Sequence, residues 1–542
     1  MATAITVSKP TSADIRPVDP VDDFEGEGTA AERWWILIGL IMAAALEILD
    51  TTVVNVSLPQ MAGSLNASTT EIAWVSTAYI LSNVVILPMT AWISGRLGRK
   101  KYLLWSIVIF NIARFMCGLS HSLDEIIVWR LIQGAGGAAL ISTAQSTIVE
   151  IFPRKQISLV QSLFSLGLIV TPTIGPSLGG YITDNWSWQT VFFVHVPLGL
   201  LSFALVWLFL RDSVHQDKGQ AIDVPGMLAL AFGLGSLQYV LEEGARYDWF
   251  EDATITRLSI VAFVGIVFFI FWELSPRNKV PILDLRVLKD RGLSGAVILS
   301  TIIGFAMYGT VFIYPLFAQT ILGFNATTTG LTLIPGGIAT AVAAMVCGRV
   351  MQKNADARVV IAIGISIFMG AMLVLGSLNS QAGEADVQYG LLIRGLGLGM
   401  LFIPIQIAAF ATLEGRQISQ GSAIFNLVRQ LGGSFGIAIL GTYLTHMTAF
   451  HRATLVGNVY GGNPELRDRL HALTGVLHTH GGLAIPQAKQ AAMVVMDRLL
   501  QKQAVTMAFC DAFLLVLVVC AFVLPAILIL KKAAARDIGP VH

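Results

Sequence analysis

Two acidic residues lie inside an apolar run near the N-terminus, where a charged side chain needs a partner or a function. Glu47 and Asp50 are three residues apart within the run 36–58, so on a helix they share one face. Asp50 lies about nine residues from the end of the run, which is ~13 Å deep at 1.5 Å per residue. A carboxylate at this depth costs about 2.5–3.5 kcal/mol on insertion scales, so it is expected to face a cavity or a cation. Carboxylates placed in this way can bind and release protons.

Arg130 is the first candidate partner, since it lies at a similar depth in the apolar run 125–148. Two neighbouring carboxylates cannot easily both be charged, and an arginine stabilises the charge of the acid that it approaches. We therefore predict that Asp50, Arg130 and Glu47 are proton-coupling residues. A static, buried Asp50–Arg130 ion pair is the alternative, and Glu47 has the alternative of contacting a cationic substrate.

Four further residues are predicted to line a cavity between the helices. Arg394 and Arg429 are cations inside later apolar runs, where they could attract an anionic substrate, pair with an acid across the cavity, or serve only the structure. Asn55 and Gln133 are polar residues that follow Asp50 and Arg130 on the same two helices.

The elements that position these residues are long apolar helices. The chain has 542 residues, of which 55% are hydrophobic and 13% charged, whereas a soluble domain carries about 25% charged residues. Runs of about 20 apolar residues predict membrane-spanning helices. Fourteen such runs are found, at approximately 36–58, 71–95, 101–120, 125–148, 158–182, 188–210, 225–245, 254–273, 292–318, 327–351, 358–377, 388–410, 418–447 and 506–530.

The positive charges are distributed asymmetrically over the connections between these runs. Of the 35 Lys and Arg residues, 23 fall in the tails and loops that the fourteen-span arrangement places on one face. The short loops of the opposite face hold only Arg246 and Arg257. Because positively charged loops stay in the cytoplasm, both termini are predicted to be cytoplasmic. The N-terminus carries no apolar stretch typical of a cleavable signal peptide.

The spans form two similar halves. The fourth span of each half carries an arginine near its outer end, Arg130 or Arg394, and the fifth carries a double glycine, Gly179-Gly180 or Gly432-Gly433. Doubled halves are typical of transporters with a substrate site between them. We predict an all-α membrane protein of two six-helix bundles plus two inserted helices. Its predicted segments are a cytoplasmic tail (1–33), a first bundle (34–212), two inserted helices (213–275), a second bundle (276–530, with an extracytoplasmic helical segment at 448–505) and a cytoplasmic tail (531–542).

The energy source for transport is predicted from a nucleotide-binding motif that the sequence lacks. The sequence contains no Gly-x4-Gly-Lys-Ser/Thr phosphate-binding loop, so an ion gradient is expected to drive transport. One proton crossing roughly 150 mV supplies about 3.5 kcal/mol, which sustains a concentration ratio of a few hundred. No cofactor, metal or nucleic acid is expected, and the four cysteines lack metal-like spacing.

Four motifs occur in order along the chain. Residues 49–59 read LDTTVVNVSLP, residues 130–134 read RLIQG, residues 175–180 read GPSLGG, and the sixth span begins Trp186-Ser187-Trp188. They resemble motifs of the fourteen-helix drug:proton antiporters of the EmrB/QacA family within the major facilitator superfamily, namely L-D-x-T-x-V-N-V-x-L-P, R-x-x-Q-G and the antiporter motif G-P-x-x-G-G. The long segment 448–505 resembles EmrB-like more than QacA-like pumps.

The resemblance implies roles for two groups of residues. Gly175, Pro176, Gly179 and Gly180 would permit the helix movements of antiport, and Arg96, Gly98, Arg99 and Lys100 would form the cytoplasmic loop motif. Three positions depart from the family pattern: Gly95 stands where an aspartate is usual, His195 where an asparagine is usual, and Glu47 where a neutral residue is common.

The resemblance also implies a function and partners. It implies proton-driven efflux of hydrophobic compounds across a bacterial inner membrane; export of one endogenous metabolite, lipid or siderophore by the same mechanism is the alternative. A membrane-embedded enzyme is disfavoured because the spans contain no nucleophile or metal constellation, and doubled halves favour alternating access over a channel. Segment 448–505 has apolar periodicity that predicts a helical hairpin. EmrB-like pumps work with a periplasmic membrane-fusion adaptor and an outer-membrane channel, which are therefore the implied partners.

Overall fold

A computed structural model describes residues 29–211, 223–278, 280–353, 355–413, 416–457, 459 and 464–530, and all regular structure within them is helical. The helices of the first half are α1 (Ala30–Ser64), α2 (Thr69–Ile72), α3 (Trp74–Ile86), α4 (Thr90–Leu97), α5 (Arg99–Leu119), α6 (Leu123–Ile151), α7 (Arg154–Asn185), α8 (Trp188–Phe193) and α9 (Val196–Phe209). The remaining helices are α10 (Val224–Glu243), α11 (Ala253–Leu274), α12 (Arg291–Thr320), α13 (Ala326–Gln352), α14 (Ala357–Gly376), α15 (Glu384–Phe410), α16 (Arg416–Gly457), α17 (Pro464–Thr479) and α18 (Ile485–Ala521).

Thirteen helical segments within the described residues are long and apolar enough to cross a membrane. They coincide with thirteen of the fourteen predicted spans. The remaining one, the fifth, lies in α7, a 32-residue helix whose described apolar stretch is the shorter segment Leu159–Leu168. The arrangement is therefore consistent with fourteen spans.

Each half contains a hydrophobic core of its own, and a further apolar cluster spans both halves. One core is built from buried residues between Val287 and Leu530, and two others from buried residues between Ile36 and Leu210. The further cluster joins Val84 of α3 and Leu230 of α10 to Ile424 of α16, so the halves also share buried apolar surface.

The inserted helices α10 and α11 lie against both halves. Helix α10 packs on α3 of the first half and on α16 of the second. Gln238 of α10 donates a hydrogen bond to Ser434 of α16 (2.9 Å), and the ring of Tyr239 contacts that of Trp74 at 5.6 Å between centroids. Helix α11 packs on α10 and is the least buried of the thirteen spans.

The glycine pairs of the two halves serve the same purpose. A Cβ added to Gly179 of α7 would lie 2.9 Å from the carbonyl oxygen of Val53 in α1. A Cβ on Gly432 of α16 would collide with the carbonyl of Thr301 in α12. In each half, the glycines therefore let the fifth span approach the backbone of the first span closely.

Helices α16 and α18 are 42 and 37 residues long, more than a span requires. The parts of α16 and α18 that continue beyond the predicted spans belong to segment 448–505. Helix α17 lies between them in the chain and packs against α18. Side-chain contacts join the two helices: His451 Nε2 lies within hydrogen-bonding distance (2.6 Å) of Asp511 Oδ2, and Arg452 Nη2 forms an ion pair with Asp497 Oδ1 at 2.9 Å. The helices predicted in this segment are therefore present.

Candidate functional site

Asp50 lies at the centre of a fully buried polar cluster between α1, α5 and α6. Arg130 of α6 forms an ion pair with Asp50 Oδ2, and Arg114 of α5 places Nη2 3.5 Å from Oδ1. Gln133, one turn from Arg130, donates a hydrogen bond to Asp50 Oδ1 (2.9 Å) and accepts one from Arg130 (3.0 Å). All four side chains are inaccessible to solvent. Two guanidinium groups therefore surround one carboxylate, which favours the charged form of Asp50.

Backbone carbonyls and an aromatic ring fix the two arginines. Arg130 Nε donates a hydrogen bond to the carbonyl of Val75 (2.8 Å), and its guanidinium lies over the ring of Tyr79, 4.5 Å from the centroid. Arg114 Nε donates to the carbonyl of Phe192 (3.2 Å). Tyr79 thus stabilises Arg130 by a cation–π interaction in a site without water access.

His195 extends the cluster to the sixth span. Its Nδ1 lies 2.8 Å from Arg114 Nη2 and 3.0 Å from the carbonyl of Val191. Since Arg114 can only donate, Nδ1 accepts from Arg114 when the imidazole proton is on Nε2. The residue that replaces the family's usual asparagine therefore contacts the arginine that contacts Asp50.

Glu47 lies one turn from Asp50 but has different partners. Its carboxylate accepts hydrogen bonds from Asn83 Nδ2 (3.2 Å) and from the backbone amide of Ile141 (3.3 Å). Unlike Asp50, it is only partly buried. Arg429, from the second half, also acts on it electrostatically. Glu47 is thus hydrogen-bonded to the first half and within electrostatic reach of the second, whereas Asp50 is enclosed within the first.

The other predicted cavity residues lie in different environments. Arg429 donates a hydrogen bond to Asn426 (2.9 Å) and lies 5.9 Å from the ring centroid of Phe402, while its Nε has no partner in the described residues. Arg394 is 9% exposed, and within the described chain it has no hydrogen bond or ion pair. Asn55 is exposed and accepts a hydrogen bond from Ser76. The structure thus groups Gln133 with Asp50, and places Asn55 and Arg394 outside that cluster.

The loop-motif residues lie where the halves meet, between α4 and α5. Gly98 has a φ of +88°, a conformation that glycine adopts readily. Arg99 forms an ion pair with Glu150 of α6 and donates a hydrogen bond to Ser419 of α16 (3.4 Å). Arg96 lies over the ring of Trp92 at 5.6 Å, and Lys100 Nζ donates to the carbonyl of Trp207 (2.8 Å).

A second polar contact between the halves lies one helical turn deeper. Ser422 of α16 donates a hydrogen bond to the carbonyl of Ser142 in α6 (3.0 Å), and Asn426 Nδ2 donates to Gln145 Oε1 (2.6 Å). At the loop-motif end, the halves are therefore joined by hydrogen bonds as well as by the apolar cluster that includes Leu87 and Ile424.

The antiporter motif, residues 175–180, packs α7 on α1 directly beside the Asp50 cluster. A Cβ on Gly175 would overlap the hydroxyl of Thr52, two residues from Asp50, whereas Gly180 has more space, with Val56 at 3.8 Å. Pro176 lies within α7, and its side chain is outside the described part of the structure.

The sequence did not indicate the roles of Arg114, Tyr79 and Asn83. Arg114 was visible only as a cation within an apolar run, and nothing in one sequence shows that its helix turns it toward Asp50. Tyr79 and Asn83 lie one turn apart on α3, so a polar stripe on the second span was the available signal.

Comparison with known proteins identifies the family. A sequence model described as Major Facilitator Superfamily matches residues 40–437. The chain belongs to the major facilitator superfamily. It is 32% identical over 444 residues to the multidrug export protein EmrB of Escherichia coli K12, covering 81% of this chain and 85% of that protein. It is 31% identical over 426 residues to the fatty acid resistance protein FarB of Neisseria gonorrhoeae, covering 78% of this chain and 83% of that protein.

Solved structures agree with the fold. The human organic anion transporter MFSD10 superposes with a TM-score of 0.55 at 12% identity, covering 91% of this chain and all of that one. The predicted EmrB/QacA-type family and the two-bundle fold are therefore confirmed. The chain is a multi-pass membrane protein, and its relatives support an efflux-transporter role rather than an enzymatic one.

Proposed function

We propose that this chain exports hydrophobic and amphipathic compounds across a bacterial inner membrane in exchange for protons, by alternating access. The observation that carries the proposal is the pair of acids on α1, one enclosed by two arginines and the other partly buried, with hydrogen bonds from Asn83 and Ile141. The core that each half has of its own, together with membership of the major facilitator superfamily, supports movement of one half against the other.

The two acids have different roles in this proposal. Asp50 stays ionised because removing its charge would leave Arg114 and Arg130 buried without a counter-ion. Together these three groups carry one excess positive charge, which ionised Glu47 balances. Glu47 therefore gains and loses the transported proton, and its protonation weakens the attraction that Arg429 exerts on α1 from the second half.

Proton release on substrate binding tests this division of roles. Purified wild-type protein in weakly buffered detergent should release protons when a transported compound binds. Glu47→Gln should bind the compound without releasing protons, because glutamine does not titrate. Glu251→Gln, at an exposed acid remote from the site, should behave as the wild type. If Glu47→Gln releases as many protons as the wild type, another group carries them.

Two buried cations favour one class of substrate. Arg394 and Arg429 are buried cations with few partners, and they would attract the negative group of an amphipathic carboxylate. FarB is named for resistance to fatty acids, which are such compounds. Export of one endogenous anionic lipid or metabolite is therefore the alternative to multidrug efflux. Growth of a pump-deficient host across a panel of cationic, neutral and anionic hydrophobic toxins, with and without an uncoupler, separates the two.

The predicted partners would bind the hairpin that α17 and the extension of α18 form. We propose that it lies on the periplasmic side and docks the membrane-fusion adaptor of an outer-membrane channel. Val476 and Met493 lie on it and are about half exposed, and unpartnered apolar positions of this kind favour a protein interface.

Deleting residues 460–495 tests the docking proposal. Whole-cell resistance should be lost while substrate/proton exchange in proteoliposomes remains, because exchange needs only the spans. Val476→Asp and Met493→Asp together should reproduce the loss of resistance with the hairpin in place. Loss of exchange in proteoliposomes would instead assign the hairpin to the transport core.

A further inference from the structure

Two buried acids lie together at one end of the inserted helices, remote from the Asp50 cluster. Asp223 caps α10, accepting a hydrogen bond from the amide of Gly226 (3.0 Å), and Glu273 lies in the last turn of α11. Asp223 is 7% exposed and Glu273 is 0% exposed. This burial is unusual because α11 is otherwise the most exposed span.

The same side chain bridges both acids. Asn278 Nδ2 donates hydrogen bonds to Asp223 Oδ2 (2.5 Å) and to Glu273 Oε2 (3.2 Å). Asp223 Oδ1 also accepts from Trp272 Nε1 (2.8 Å). Three of the four carboxylate oxygens therefore have side-chain donors.

The fourth oxygen, Glu273 Oε1, is buried and has no donor within hydrogen-bonding geometry in the described structure. The backbone amides of Ile282 and Leu283 approach the carboxylate of Glu273 without donating to this oxygen. A Cβ placed on Gly226 would lie 3.1 Å from Oε1 and 2.6 Å from Asp223 Oδ2. The unpartnered oxygen thus faces the same small space as the carboxylate of Asp223.

In the part of the chain that the structure describes, no positively charged side chain pairs with these two acids. Within the described residues, no lysine, arginine or histidine forms an ion pair with either acid. Of the charged groups on the segment that follows α11, Asp284 adds a further negative charge, Arg286 donates to the carbonyl of Ser275 (3.3 Å), and Arg277 is exposed. Two adjacent carboxylates buried without a cation are very unfavourable if both are ionised.

We propose that Asp223 and Glu273 form a proton-binding site, separate from the transport site, that holds one shared proton on Glu273 Oε1. A proton fits this site better than a metal ion. Mg²⁺ and Ca²⁺ require about six or more oxygen ligands, and here the amide group of Asn278 points its hydrogens between the two carboxylates. A proton needs one oxygen that lacks a donor and a second oxygen to accept its hydrogen bond, and in this proposal the carboxylate of Asp223 is that acceptor.

The site fastens the inserted helices to the chain that leads into the second half. The segment beside Glu273 is held on α16 by Gln420, whose Nε2 donates to the carbonyl of Ile282 (3.2 Å) and whose Oε1 accepts from the amide of Asp284 (3.1 Å). Loss of the proton would place two negative charges beside this segment and weaken its attachment. Occupancy of the site therefore sets how firmly α10 and α11 are joined to α16.

Infrared spectroscopy and pH-dependent unfolding of the purified full-length protein test the proposal. At neutral pH the wild type should show a protonated-carboxyl stretching band that shifts in deuterated water and is reduced in Glu273→Gln. Because the folded protein holds a proton that the unfolded acids release above about pH 4.3, unfolding should become easier as pH rises, by about tenfold per pH unit. This slope should be smaller by one proton in Glu273→Gln.

Two controls keep the result specific. Glu251→Gln should match the wild type in both measurements. Glu47→Gln should retain the part of the carboxyl band and of the pH dependence that Glu273→Gln removes, so this proposal can be tested even if the transport proposal fails. Asp223→Asn should weaken these effects without abolishing them, since it removes the negative charge beside Glu273 but leaves Glu273 buried. An unchanged band and slope in Glu273→Gln would overturn the proposal, as would stabilisation of the wild type alone by Na⁺, K⁺ or Mg²⁺.

Discussion

Asp50→Asn is the substitution for which the structure gives the clearest magnitude. Asparagine keeps the volume and one acceptor oxygen, but it leaves Arg114 and Arg130 as two adjacent guanidinium groups with no solvent access. Breaking a buried ion pair by removing one partner costs about 3–5 kcal/mol. Because two arginines lose their counter-ion here, we expect the upper part of that range and complete loss of export.

Arg114→Gln provides the second corner of a double-mutant cycle. It leaves Asp50 and Arg130 as a one-to-one ion pair, so the expected cost is about 1–3 kcal/mol, from lost hydrogen bonds to Phe192 and His195. In the double variant Asp50→Asn/Arg114→Gln, only one uncompensated cation remains. The double variant should therefore be more stable than the sum of the single effects predicts, by about 0.5–3 kcal/mol.

The assay is equilibrium unfolding in mixed detergent micelles, followed by far-ultraviolet circular dichroism. Asp248→Asn is the matched control, since Asp248 is exposed and has a φ of +52°, a conformation that asparagine also adopts readily. Additive effects in the double variant would show that Arg114 does not interact with Asp50. A loss below about 1 kcal/mol in Asp50→Asn would show that the arginines find other counter-charges.

Three further predictions concern packing and topology. Gly179→Ala should destabilise the protein by about 1–3 kcal/mol, because its Cβ would meet the α1 backbone, whereas Gly180→Ala, whose Cβ would make an ordinary contact with Val56 at 3.8 Å, should not; unfolding of the two variants compares them directly. Gly98→Ala should cost about 1–3 kcal/mol for its backbone conformation, while Gly95→Ala, which meets nothing within 4 Å, should be neutral in the same assay. Reporter fusions should place both termini in the cytoplasm and Gly475 outside, and a cytoplasmic signal at Gly475 would contradict the fourteen-span arrangement.

The sequence predicts the helices and the central acid well, for physical reasons. Apolar runs of about 20 residues have few structural alternatives, and Asp50 is conspicuous because a carboxylate is costly within such a run. The rotation of each helix about its axis is set by packing between helices, which one sequence does not show. For this reason Arg114 and His195 could not be assigned to Asp50 in advance.

The proximity of Asp223 and Glu273 in the inserted helices could not be predicted, for a related reason. Asp223 and Glu273 lie 50 positions apart, each at a predicted boundary between span and loop, where an acidic residue normally contacts water. Only the antiparallel packing of α10 on α11 brings them together.

The length of α18 has a mechanical consequence. At 1.5 Å per residue, its 37 residues extend about 55 Å, against a hydrocarbon core of about 30 Å. The part that emerges, braced by its side-chain contacts with α16, is a rigid lever of about 25 Å. Each degree by which the second half tilts displaces the tip of this lever by about 0.4 Å. A molecule resting on the tip would therefore sense, by displacement alone, which way the transporter faces.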